Sequence, residues 1–228
     1  AMLFEETHPK YVEPQHPIVF LPWDSNQFIY WSQRDGFHHL YLYNKEGQLI
    51  KQLTQGDWLV QDILGFNTAR KEMIIASTEI SPLQTNIFSL NVKTGKRTLL
   101  GQQDGTHSAR LSASGTYLID NFTSFNVPRE ISILPTNGKT GINLLTATDP
   151  MKEQYNLPEI TLGTIKAADG KTDLYYRLIK PVNFDPNKKY PAIIYVYGGP
   201  HAQLIHNNRF YDARGWDLYM AQKGYVML

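Results

Sequence analysis

The residues whose types and spacing could do chemistry lie near the carboxyl end, where Tyr197, Gly198, Gly199, Pro200 and His201 follow directly on an apolar run. Two adjacent glycines remove the Cβ atoms, so the backbone there can turn sharply or lie against a ligand. A phenol such as Tyr197 can donate a hydrogen bond to an oxyanion developing in acyl transfer. The residues alone leave three readings open. One is a glycine-rich turn with Tyr197 packed in the core. Another is a phosphate-cradling loop, although neither G-x-G-x-x-G nor G-x-x-x-x-G-K-[ST] occurs. The third is half of an oxyanion hole. His201 reads as a water-exposed loop histidine in preference to a ligand contact. His38 and His39 are adjacent in an expected strand, so they point to opposite faces and cannot chelate one metal.

Such a site needs elements to position it. Ile193 to Tyr197 shows no polar alternation, which predicts a strand buried on both faces in the middle of a covered sheet. Ligands of open α/β sheets bind beyond the carboxyl ends of such strands. Before it, residues 157–165 and 172–179 read as two strands joined by the turn Ala168-Asp-Gly-Lys171. Residues 181–189 read as a loop. After the glycines, 204–210 reads as loop, and Asp212 is a plausible N-cap. Trp216, Tyr219, Met220 and Lys223 follow a helical spacing, with Gly224 at C′. Tyr225 to Leu228 begins a further strand. The order hairpin, strand, glycine loop, helix, strand predicts the opening of a doubly wound α/β domain over 151–228. In an α/β-hydrolase the loop after the third strand supplies an oxyanion donor, and Tyr197 occupies that place.

The first two-thirds repeat themselves. Ile29, Ile74 and Leu118 centre similar runs 45 and 44 residues apart, Leu40, Ile87 and Ile131 others at 47 and 44, and Leu53, Leu99 and Leu145 a third set at 46 and 46. Leading runs at 17–20, 59–64 and 107–111 make a fourth strand per unit. Gly47, Gly95 and Gly115 punctuate the units where hairpin turns need positive φ. A period of about 40–50 residues with four strands predicts β-propeller blades over 1–150; an evenly spaced sandwich is the plainer alternative. Rings need about four to eight blades, so further blades are expected before residue 1. The fold class expected is mostly β plus α/β: three four-stranded blades followed by the opening strands and first helix of an α/β-hydrolase domain. Asp149 to Tyr155 is the expected linker, with a short turn of helix.

Composition excludes several functions. The 228 residues carry a net charge of +1, with 42% hydrophobic and 19% charged side chains. This balance offers no electrostatic argument for nucleic acid or an acidic membrane. With no cysteine, disulfides, thiol catalysis and cysteine-bound zinc are excluded. No apolar run approaches the roughly 20 residues that span a bilayer, and no signal peptide is visible. No cofactor is implied. The tryptophans Trp23, Trp31 and Trp58 read as packing, and the sequon Asn121-Phe-Thr123 as accidental in a strand.

The run Lys188-Lys-Tyr-Pro-Ala-Ile-Ile-Tyr-Val-Tyr-Gly-Gly-Pro-His-Ala-Gln203 resembles the start of the catalytic domain of the dipeptidyl peptidase IV family, within the prolyl oligopeptidase clan of serine peptidases. Residues 32–42 and 53–58 resemble late blades of that family's propeller. The resemblance implies an eight-bladed propeller leading into an α/β-hydrolase, with Tyr197 as the oxyanion donor. It implies a parent that removes N-terminal dipeptides, X-Pro or X-Ala, through an acyl-enzyme. Peptide substrates, a homodimeric parent and a bacterial periplasmic or cell-envelope location follow from the same likeness. No G-x-S-x-G occurs, so this chain alone is expected to be inactive, with the triad beyond Leu228. Rival expectations are another clan peptidase, or a non-catalytic, protein-binding homologue.

Overall fold

The computed structural model describes residues 2–13, 16–199, 202–209 and 215–228. Pro200, His201 and the expected N-cap Asp212 lie outside them. The chain divides into two compact units, Ala1–Ser124 with Arg129–Thr146, and Phe125–Pro128 with Ala147–Leu228.

The first unit holds three four-stranded sheets, each in sequence order. Blade 1 comprises Val19–Leu21 (β1), Asp24–Ser32 (β2), His39–Asn44 (β3) and Leu49–Gln52 (β4). Blade 2 comprises Val60–Asn67 (β5), Glu72–Ser77 (β6), Asn86–Asn91 (β7) and Arg97–Leu100 (β8). Blade 3 comprises Thr106–Leu111 (β9), Tyr117–Ser124 (β10), Val127–Pro135 (β11) and Ile142–Thr146 (β12). The expected strands of every repeat are therefore present. Turn chemistry repeats as well. Asn44 ends β3 and Asn91 ends β7, and each accepts the N–H of the turn glycine, Gly47 or Gly95. These glycines have φ of +81° and +76°, where a Cβ would be strained.

The blades pack face to face, and alternation along the strands explains how. Met73 and Ile75 of β6 point one way, into a cluster with Ile29, Trp31, Leu40 and Leu42 of blade 1. Ile74 and Ala76 point the other way, into a cluster with Leu118 and Leu134 of blade 3. A strand with neighbours on both faces must be apolar at every step. Trp31 is buried in the first cluster, with Trp23 and Trp58 packed against it, so all three serve packing. The outer face of blade 1 carries Phe28, Tyr30, Tyr41 and Tyr43, with Phe4 laid over them. Glu6 anchors that segment by accepting the hydroxyls of Tyr30 and Ser32.

The second unit begins with a short helix, Pro150–Gln154 (α1), capped by Asp149. Ile160–Lys166 (β13) and Asp173–Ile179 (β14) form the expected hairpin. Ala192–Ile193 (β15), Gly215–Gln222 (α2) and Val226–Met227 (β16) complete a sheet of order β13-β14-β16-β15. β16 is antiparallel to β14 and parallel to β15, and α2 supplies the crossover that a parallel pair requires. At the end of α2, Gly224 (φ +93°) donates to Ala221 and Tyr225 donates to Met220. Those two bonds complete a Schellman motif, and Gly224 sits at C′ as expected.

Two expectations here need correction. The run Ile193 to Tyr197 is not a strand buried on both faces. The ladder continues only through Tyr195, whose N–H donates to the Leu228 carbonyl, and residues 194–197 are 57–76% exposed. β15 is an edge strand. The helix α2 packs Leu218 and Ala221 onto Ile179 and Met227, and among the described residues no layer covers 194–197. The helix also uses another face than its spacing suggested. Trp216 and Tyr219 are exposed, whereas Leu218 and Ala221 are buried. With apolar residues on several sides, more than one stripe fits the 3.6-residue repeat.

Candidate active site

Tyr197 lies just beyond the carboxyl end of β15. Gly198 follows with φ +65°, the left-handed conformation that lets the chain reverse without strain. Gly199 is needed for a different reason. A Cβ there would stand 2.6 Å from Tyr197 Cε1 and 3.1 Å from the Tyr197 hydroxyl. The phenol therefore folds back over its own loop and occupies the space that a side chain at 199 would fill. Tyr197 as a whole is 57% exposed. Of the open readings, core packing of Tyr197 does not match this placement.

Residues 202–209 contain no helix or strand, so the loop expected over 204–210 is present as far as Arg209, pinned locally where Gln203 Nε2 donates to the Ile205 carbonyl at 2.8 Å. A mainly apolar cavity of about 230 Å³ lies between Arg177, Ile179, Tyr195, Leu204, Ile205 and Met227. Tyr197 does not line it, so the cavity is separate from the candidate chemistry.

The adjacent pair His38 and His39 is held by its surroundings. His39 opens β3 and is fully buried. Its Nε2–H donates to the Gly56 carbonyl at 2.9 Å, which leaves Nδ1 to accept the Thr54 hydroxyl at 3.0 Å. No lone pair remains for a metal. His38 precedes the strand, beside His16 and Trp31. Burial, then the neighbouring His16, holds its imidazole below the ordinary histidine range. Among the described residues, no group of three or more His, Asp or Glu side chains could hold a metal ion.

Sequence reasoning missed one pair of catalytic residue types. His107 Nδ1 lies 2.8 Å from Asp120 Oδ2, and its Nε2 lies 2.8 Å from the Gln102 carbonyl. The two side chains are 0% and 2% exposed, so no substrate reaches them. Each ring nitrogen faces an acceptor, and the pair ties the loop before β9 to blade 3. The signal available was β10's alternation, which places Asp120 inward with Leu118 and Phe122.

The comparisons with known proteins agree with this architecture. The family described as the dipeptidyl peptidase IV (DPP IV) N-terminal region matches residues 1–129. Dipeptidyl peptidase 4 of Trichophyton equinum is 32% identical over 179 residues, 76% of this chain and 23% of the relative. That of Arthroderma otae is 35% identical over 180 residues, again 76% of this chain and 23% of the relative. The chain thus spans about a quarter of the length of the curated relatives it matches. A crystal structure of a candidate dipeptidyl aminopeptidase IV from Bacteroides ovatus superposes with a TM-score of 0.89 at 50% identity, covering 96% of this chain and 34% of that one. Porphyromonas gingivalis dipeptidyl peptidase 4 superposes with a TM-score of 0.81 at 28% identity, covering 92% of this chain and 29% of that one. With the family match extending over more than half of its residues, the chain belongs to the dipeptidyl peptidase IV N-terminal region family.

Proposed function

We propose that this chain is the part of a DPP IV-type serine exopeptidase in which the last propeller blades lead into an α/β-hydrolase domain. Residues 1–150 end the propeller and 151–228 open the hydrolase. The parent removes X-Pro or X-Ala dipeptides from peptide amino termini through an acyl-enzyme. Tyr197 donates its phenol hydrogen to the oxyanion of the tetrahedral intermediate. The nucleophile, its base and the orienting acid belong to the part of the parent outside these residues. The outer face of blade 3, where Tyr117, Ile119 and Ile142 are exposed, receives a further blade of the same ring. A homodimeric parent and a bacterial cell-envelope location belong to the same proposal; for the location, the support is that both solved relatives above are bacterial.

The observation that carries this reading is the place of Tyr197. It stands at the carboxyl end of a parallel strand, beside the β15–α2–β16 crossover, with two glycines shaped to present it. Likeness over 96% of the chain to a candidate dipeptidyl aminopeptidase IV supports the substrate class. The test has two arms. The 228-residue chain neither reacts with a fluorophosphonate probe nor turns over a Gly-Pro reporter. The full-length protein does both, and Tyr197→Phe in it lowers kcat about 10²–10³-fold, the usual worth of one oxyanion donor. Labelling of a serine within the short chain, or unchanged kcat in the variant, overturns the reading.

A further inference from the structure

The loop after the glycines is tied at its far end by a cluster that neither the sequence motifs nor the family match points to. Asn207 Oδ1 accepts the backbone N–H of Phe125 at 3.0 Å. Arg209 Nη1 donates to the carbonyl of the same Phe125 at 3.1 Å. The other arm of the Arg209 guanidinium pairs with Asp149 Oδ2. Asp149 in turn caps α1, accepting the Lys152 N–H through its other oxygen. All four residues belong to the second unit, because Phe125–Pro128, where β10 turns into β11, cluster with Ala147–Leu228.

We propose that Arg209 is a positioning residue for Tyr197: it holds the loop that leaves the glycines by gripping Phe125 and Asp149 together. The inference rests on the reading of Tyr197 as oxyanion donor. Three features support it. Phe125 is held by both of its backbone groups, so the grip is insensitive to the side chain it meets and fixes the loop in two directions. The Arg209 and Asp149 side chains are 14% and 20% exposed, and a largely desolvated, multiply bonded guanidinium resists opening far better than a surface pair. Residues 202–209 contain no helix or strand, so side-chain bonds such as those of Arg209 hold the loop in place of a backbone ladder. At the near end, the Tyr195 N–H is bound to the Leu228 carbonyl; at the far end stands Arg209. An oxyanion donor must sit within a few tenths of an ångström of its place, and a displacement of about 1 Å can cost about a hundredfold in rate. Lysine could replace the ion pair but not the fork that also reaches Phe125.

The experiment uses the full-length protein that contains this chain, assayed with a Gly-Pro p-nitroanilide substrate and by hydrogen exchange. Arg209→Ala lowers kcat about tenfold or more while KM stays within about twofold. Arg209→Lys, the milder change should the alanine variant fail to fold, recovers part of the loss. In a Tyr197→Phe background Arg209→Ala adds no further loss, because the two act through one interaction. Exchange rises at the Phe125 amide and across residues 202–209. Unchanged exchange, a loss confined to KM, or additive losses in the double variant overturn the clamp. If Tyr197→Phe lowers kcat and Arg209→Ala does not, the clamp alone fails. If Tyr197→Phe has no effect, the oxyanion reading fails and the clamp with it.

Discussion

Blades 2 and 3 are built from the same four-strand unit, yet they are buried differently. All six residues of β6 are buried, and the four apolar ones, Met73 to Ala76, divide alternately between the clusters shared with blade 1 and blade 3. In β10 the alternate residues Leu118, Asp120, Phe122 and Ser124 are buried while Tyr117 and Ile119 are exposed. The outermost strand, β12, is exposed throughout. A hollow of about 910 Å³, lined in part by Tyr117, Ile119, Ile133 and Ile142, opens on that face. Tyr117 and Ile119 of β10 and Ile142 and Leu144 of β12 are nevertheless apolar, although Asn121 on the same face is polar. A face selected for water would carry polar residues at those alternate positions. The difference teaches that burial depends on the neighbours present, whereas the apolar pattern records the neighbours for which the strand is suited.

The comparison can be broken first at the buried pair of blade 3. Asp120→Ala leaves His107 without its carboxylate inside the sheet and is expected to cost about 3–5 kcal/mol, measured as a loss in denaturant unfolding. Next comes blade 2, where Ile75→Ala opens a hole between two sheets and should cost about 2–5 kcal/mol. A smaller effect is expected at Glu72. Burial pushes this carboxyl towards protonation, but hydrogen bonds from Arg70 and from the Ser89 hydroxyl outweigh it and hold its pKa below the ordinary value of 4.5. Its contribution is therefore complete above the unfolded value and is lost as pH falls through the lower folded one. Glu72→Gln should cost about 1.5 kcal/mol at neutral pH and flatten the acid limb of a stability-against-pH curve. A variant with an unchanged acid limb would remove Glu72 from the account.

How much of this was legible in the sequence depends on the range of the interaction. Blade strands could be read because each repeats a local pattern and ends in local turn chemistry, as at Asn44 and Gly47. The turn glycines around Tyr197 could be read because their effect on the backbone is their own. The exposure of 194–197 could not, since an apolar run announces what a strand would bury and not whether a layer lies over it. Nor could the buried face of α2, where Trp216 and Leu218 fit the helical repeat equally well. The His107–Asp120 pair and the Arg209 grip were hidden because their partners are set by tertiary structure. Asn207 and Phe125 are 82 residues apart, and no periodicity connects them.

The smallest expected effect gives the sharpest form of the comparison. Ile119 lies on β10 beside the fully buried Leu118, and is 54% exposed. Ile119→Ala in the 228-residue chain should change stability by less than about 0.5 kcal/mol, as for other surface substitutions. In the full-length protein the proposed ring places a further blade on this face. There the same substitution should cost about 2–5 kcal/mol, like the core change at Ile75. The two backgrounds thus turn one residue from surface into core without altering its own strand. Equal, small effects in both would mean that no blade covers this face. The apolar outer residues of β10 would then need another partner to explain them.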